Sequence, residues 1–286
     1  MKNQLRAKAI VKIIRKRTSR LALSLLESRS KQEPEPETQG YSSLDEDKLI
    51  QKYLRKTPHQ KSCVDIAASD GTSASNTRAL FEKSWEGLAV EFDGEKFAKL
   101  AASYASFPGA RLSRNKISPD NVIPLLQAHG VPKNFGFLSL DIDSFDYFVL
   151  AKILSQFRPA LICAEINEKI PPPLEFTVKY IPDHWWSGDH FYGQSICQLH
   201  TLTSRHNYDI VELHYNNAFL IPSELNVFKS LTPEAAFRRG YVNKKDREIK
   251  FPWNKDADFL LTMSPVDARK SVNRMFKKYK GKYELV

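Results

Sequence analysis

The sequence predicts an α/β fold: a doubly wound, mostly parallel sheet with an antiparallel edge hairpin, plus a helix at the N-terminus. Three observations predict it. Short apolar runs alternate with helix-period segments in five successive units between Cys63 and His206. The first run, CVDIAAS, is short and mostly apolar, as expected of a parallel strand covered on both faces. Two further runs, 208–215 and 217–222, follow one another closely and read as an antiparallel pair at the sheet edge.

Taken in order, residues 4–27 carry Ile10, Ile13, Ile14, Leu21 and Leu25 at helical spacing, with Lys and Arg opposite. This basic amphipathic helix occupies 1–27 and has three readings: packing on the body of the protein, lying on an anionic membrane surface, or serving as a transit peptide. Residues 28–42, rich in Pro and Glu, read as a flexible linker. The main domain is expected over 43–230 and a basic extension over 231–286. Leu44–Leu54 suggests a short entry helix. Strands are expected at 63–69 (CVDIAAS), 87–93 (GLAVEFD), 110–116 (ARLSRNK), 135–143 (FGFLSLDID) and 160–167 (ALICAEIN). Helices are expected at 74–83, 94–105, 120–129, 145–156 and 192–206.

The net charge of +10 is concentrated in the first 20 residues and in Arg269–Lys282. Such a surface favours anionic partners. No run is long and apolar enough for a transmembrane helix, and the N-terminus lacks the apolar core of a secretory signal. The expected location is cytoplasmic, with peripheral membrane contact through 4–27 as an option. The 3 cysteines lie far apart without a CxxC, and read as buried small hydrophobes.

Four places carry chemistry. Val64-Asp65-Ile66-Ala67-Ala68-Ser69-Asp70-Gly71 sets small residues between a strand and a helix. A nucleotide-like ligand needs that close backbone approach and the amides of a helix N-terminus. It is not a G-x-G-x-x-G loop. Glu91 ends the next strand, where an acid can accept both hydroxyls of a ribose. Asp141, Asp143 and Asp146 follow the fourth strand, and alternation puts Asp141 and Asp143 on one side. Glu165-Ile166-Asn167 ends the fifth strand on the same edge. These acids leave three readings open: a polar substrate pocket, an oxygen-rich Mg²⁺ site, or a satisfied hydrogen-bond network. The pocket is favoured over the cation, so no metal ligand is assigned.

The succession VDIAASDG, LAVEFD, LSLDIDSFDY, RPALICAEIN resembles the FkbM-type and related class I S-adenosylmethionine-dependent methyltransferases over roughly 60–225. The resemblance implies a Rossmann-like methyltransferase fold and S-adenosylmethionine as cofactor. It implies a cofactor site of Asp65, Ala67, Ser69, Gly71 and Glu91, with Asn115 near the adenine and Asp141 beside the methionine end or the substrate. Two positions depart from the family. Ala67 stands where Gly is usual and its methyl could crowd the cofactor. Ser144 stands where Gly is usual in a turn that would call for positive φ.

Residues 171–194 are long, aromatic and proline-rich, and are expected to cover the active-site edge as a lid. His184, Asp189, His190 and Tyr192 are candidates there for substrate contact or proton transfer. Trp185 and Trp186 read as aromatic packing, and Tyr215–Ala218 as the pocket's far side. The expected activity is O-methylation of a hydroxyl on a small molecule or glycan, with Asp143, Glu165 or His190 as base. The competing reading is a catalytically inactive scaffold or membrane-associated binding protein. A nucleic-acid substrate is not expected, because NPPY-like and Cys-nucleophile signals are absent.

Overall fold

The computed structural model describes residues 40–182, 184 and 186–286. The expectations for 1–27, the membrane contact through 4–27, linker residues 28–39 and Trp185 lie outside the described residues. Gly40–Val286 form one compact unit.

The chain enters through α1 (Glu46–Leu54), then runs β1 (Ser62–Ile66), α2 (Arg78–Glu82), β2 (Glu86–Glu91), α3 (Gly94–Tyr104), β3 (Ala110–Arg114), α4 (Val122–Ala128), β4 (Phe137–Leu140), α5 (Asp146–Gln156) and β5 (Leu161–Glu165). A short strand β6 (Phe176–Val178) and helix α6 (Ile196–Ser204) lead to β7 (Tyr208–His214) and β8 (Asn217–Pro222). Seven strands form one sheet in the order β3-β2-β1-β4-β5-β8-β7. The first five are parallel, β8 is antiparallel to β5, and β7 is antiparallel to β8. This is a doubly wound Rossmann-like sheet with an inserted hairpin. Its order reverses between β1 and β4, the point at which open α/β sheets form a ligand crevice at the strand ends.

Strand alternation explains the two layers. Val64, Ile66, Leu88, Val90, Leu138, Leu140 and Ile162 pack with α4, α5 and α6 on one face. Cys63, Ala89, Phe137, Leu161 and Cys163 pack with α1, α2 and α3 on the other. All three cysteines are free and buried.

Most elements are shorter than the sequence predicts; the strand expected over 135–143, for one, spans only Phe137–Leu140. The strand expected over 63–69 stops at Ile66 because Ala67 turns to φ 67°. The helix expected over 74–83 begins only at Arg78, since Ala74 holds φ 59° and cannot continue a right-handed turn.

The unit does not stop at residue 230. Helices α7 (Pro233–Phe237), α8 (Arg247–Lys250) and α9 (Pro265–Met275) and strand β9 (Tyr283–Leu285) continue it. Phe237, Tyr241 and Phe251 join the core on the α4–α6 face. Leu260, Ala268, Val272 and Phe276 form a third core with Phe176, Val178 and Phe191 of the predicted lid. Strands β6 and β9 pair antiparallel. The basic residues of the tail hid this apolar stripe. No helix among the described residues is long and apolar enough to cross a membrane.

Candidate functional site

The turn after β1 is strained at two points and braced at several. Ala67 (φ 67°) and Ser69 (φ 52°) are both left-handed without being glycine. Ala67 is exposed. The buried Asp65 lies beneath the turn and accepts from Thr77 Oγ1 at 2.5 Å. Burial pushes its carboxyl up to about 6, with the Thr77 and Ser139 hydroxyls pulling the other way.

Glu91, 7 % exposed, ties this turn to the next loop. Its Oε2 accepts from the Ser69 amide at 2.9 Å and its Oε1 from the Asp93 amide at 2.7 Å. Asp93 in turn caps α3, accepting from the Glu95 and Lys96 amides at 3.0 and 2.9 Å. A carboxylate has about four lone-pair directions, so Glu91 retains capacity for two further donors.

The other residues of this edge fall into place differently. Gly71 (φ 72°) packs on α3, where a Cβ would come within 2.5 Å of Leu100 Cδ1 and 2.7 Å of Tyr104 Cε1. That close packing is a reason for glycine independent of any ligand. Asn115 is exposed beyond β3 and donates to Ser113 Oγ at 2.7 Å. The turn after β4 needs a positive φ at Asp143 (54°), not at Ser144. Asp tolerates that region, and the Asp146 carboxylate ties the turn by accepting from the Ile142 and Ser144 amides at 2.9 and 3.1 Å. Ser144 is therefore no obstacle.

At the ends of β4 and β5 the three acids converge. One carboxylate oxygen from each of Asp141, Asp143 and Glu165 lies within 4.8 Å of the others. Asp141 and Asp143 are half-buried; Glu165 is buried. Glu165 Oε1 accepts from Asn216 Nδ2 at 2.9 Å, while Oε2 is buried and has no donor. Burial, then the Asp143 and Asp146 charges, push Asp141 up to about 8. Burial and the neighbouring acids, Asp141 first, raise Glu165 well above the carboxylate range. Burial also raises Asp143, against the pull of Lys96 and Lys169. Oxygen donors of this kind suit Mg²⁺, Mn²⁺ or Ca²⁺.

Asp143, Glu165 and Asn216 line a cleft of about 610 Å³. Its walls come from three places: Glu168 and Lys169 after β5, Trp186, Gly188, Asp189, His190 and Tyr192 of the lid, and Phe251, Trp253 and Asp256 of the C-terminal segment. The lid thus covers this edge, and Asn216 closes one side, as the sequence suggests. It is clasped rather than loose. Phe191 stacks on Tyr279 at 3.8 Å between centroids, and Asp189 accepts from Tyr279 Oη at 2.6 Å. His190 Nε2 meets Asp256 Oδ1 at 2.9 Å in the cleft wall. His184 instead packs edge-on against Phe191. Burial lowers its pKa below the usual histidine value.

Sequence reasoning missed Glu168, Lys169, Phe251, Trp253 and Asp256. Glu168 and Lys169 are fully buried and paired at 2.9 Å, with Tyr192 Oη and Asn254 Nδ2 donating to Glu168 at 2.7 and 2.6 Å. The signal available was their adjacency to the Glu165-Ile166-Asn167 strand end.

No protein-family model matches the chain, and no curated protein matches it. Among solved structures it is similar to the N-terminal domain of EvdMO1 with SAH bound, at 10% identity over 63% of this chain and 82% of that chain, TM-score 0.43. It is also similar to a SAM-dependent methyltransferase from Aquifex aeolicus, at 9% identity over 63% and 90%, TM-score 0.37. A third is TrmK of M. capricolum in complex with S-adenosyl-homocysteine, at 9% identity over 80% and 96%, TM-score 0.41. The fold assignment itself stands on the strand order.

Proposed function

We propose that this chain is an S-adenosylmethionine-dependent methyltransferase that methylates a hydroxyl on a small molecule or glycan. One observation carries the reading. A cleft large enough for an acceptor opens at the same sheet edge as the small-residue turn held by Glu91. In this reading the Ala67–Ser69 turn and Glu91 receive the donor's adenosyl group, with Asp65 bracing the turn from below. Gly71 keeps the turn close to α3, Asn115 faces the adenine side, and Asp141 stands between donor and acceptor.

The chain's own task is alignment. The acceptor oxygen attacks the methyl carbon, the carbon–sulfur bond breaks, and its electron pair stays on sulfur to give the thioether. The hydroxyl proton goes to a base in the cleft. His190 suits this role best. Asp256 engages Nε2, so the other ring nitrogen carries the lone pair. Asp143 and Glu165 are the alternative bases.

The rival reading, an inactive scaffold, draws on Ala67 at a left-handed position. Calorimetry of the purified chain with S-adenosylmethionine and S-adenosylhomocysteine separates the two. Saturable heat from both ligands, reduced by Glu91→Ala, is the expected result. Absence of heat from either ligand removes the catalytic reading and leaves the scaffold.

A further inference from the structure

We propose that Asp141, Asp143 and Glu165 form a binding site for one hard divalent cation of the Mg²⁺ or Mn²⁺ type. Geometry comes first. The three carboxylate oxygens lie within 4.8 Å of one another, and they descend from two adjacent parallel strands, β4 and β5. Oxygens bound to a common Mg²⁺ at about 2.1 Å stand at most about 4.2 Å apart, so the side chains have to draw in by about half an ångström to close on the ion. An all-oxygen set selects hard cations over zinc or copper.

The second observation is independent of the clustering. Glu165 is 6 % exposed, lines the cleft, and its Oε2 has no hydrogen-bond donor. A buried orphan oxygen is costly unless something positive meets it. Asn216 holds the other oxygen, Oε1, and turns its own Oδ1 into the same buried surroundings without a donor.

Among the described residues no Lys, Arg or His is ion-paired with Asp141, Asp143 or Glu165; Lys96 and Lys169 act on Asp143 only as nearby charges. The buried Lys169 is held by Glu168 and by Tyr192 Oη at 2.9 and 2.7 Å. Asp146 is not among the three acids whose oxygens converge, and its carboxylate instead ties the turn through the Ile142 and Ser144 amides. Asp143, Glu165 and Asn216 all border the cleft, so a cation here keeps open positions toward it. Those positions would take an oxygen of the acceptor and favour its deprotonated form. That last step depends on the methyl-transfer reading; the cation site does not.

The test uses the full chain stripped with EDTA and titrated with MnCl₂, free Mn²⁺ being read by electron paramagnetic resonance. The expected result is one Mn²⁺ bound per chain, displaced by excess Mg²⁺. The Asp143→Asn/Glu165→Gln double variant, checked for folding by circular dichroism, should bind at least tenfold more weakly. Asp143→Asn alone carries the comparison if the double variant does not fold. No saturable binding by the wild-type chain, or unchanged affinity in the folded variant, overturns the proposal. Calorimetry with S-adenosylhomocysteine in EDTA is read separately. Mn²⁺ binding without nucleoside binding would leave the cation site standing and remove the methyl-transfer reading.

Discussion

The Ser69 amide donates to the Glu91 carboxylate at 2.9 Å, joining the turn after β1 to the end of β2 across two adjacent strands. The same carboxylate holds the Asp93 amide, so one buried side chain sets the relative position of two loops. Whatever enters this edge meets backbone already held in place.

Replacing Glu91 with Ala therefore removes two charge-assisted hydrogen bonds and strands two amides. Unfolding by urea should show a loss of about 2–4 kcal/mol. If Glu91 also grips the ribose, affinity for S-adenosylhomocysteine should fall at least tenfold in calorimetry at a temperature where the variant is folded. A stability loss with unchanged affinity would confine Glu91 to bracing the loops.

Asp65 predicts a pH dependence. Its carboxyl rises from the ordinary 3.8 to about 6 in the folded chain. The folded state thus binds more protons than the unfolded state between those values, and this group's contribution to stability falls as pH rises through the window. Above it the deficit approaches about 3 kcal/mol. Asp65→Asn retains an oxygen for the Thr77 hydroxyl and presents an amide to Ser139, so it keeps the bonds without the charge. It should be more stable than wild type at pH 7.5, with the gap closing below about pH 4. Denaturation curves at three pH values check this, and a gap independent of pH would refute it.

Ala67 offers a smaller but clean experiment. A left-handed L-residue costs about 1–2 kcal/mol, and glycine removes that cost while regaining about 0.4–1 kcal/mol of unfolded-state freedom. Ala67→Gly should stabilise by up to about 1 kcal/mol, and Ala67→Val should destabilise by at least that much. The position is exposed, so packing does not confuse the comparison. Equal midpoints for all three chains would show that the left-handed turn is not kept in solution.

The parallel sheet was legible because β1, β2, β4 and β5 each hold a short apolar stretch between helix-period segments, the pattern of doubly covered strands in an α/β sheet. The meeting of Asp141, Asp143 and Glu165 was legible too, since acids at the ends of parallel strands share an edge. The second sheet was not. Phe176–Val178 and Tyr283–Leu285 are three residues each and pair across more than a hundred positions, so no local period announces them. The cleft wall at Phe251, Trp253 and Asp256 lies in short irregular turns whose lysines read as a solvated tail. Glu168 and Lys169 failed for a related reason. Adjacent opposite charges read as surface, and only the fold encloses them.

That enclosure makes the last prediction the most demanding on the structure. Glu168 is 0 % and Lys169 3 % exposed, and together they join the loop after β5 to Tyr192 of the lid and Asn254 of the C-terminal segment. Lysine, tyrosine and asparagine together hold the Glu168 carboxyl below its usual range despite burial. Removing one partner of a buried pair leaves an uncompensated charge, at about 3–5 kcal/mol. Lys169→Met should cost that amount, whereas Lys169→Met combined with Glu168→Gln should recover much of it, because the orphaned charge is gone. Since the pair pins the lid, the single variant should also become sensitive to limited proteolysis between Pro182 and Tyr192. If the double variant is no more stable than the single one, the orphaned Glu168 charge is not the source of the loss, and the contact of the Lys169 ammonium with the Tyr192 ring would have to supply it.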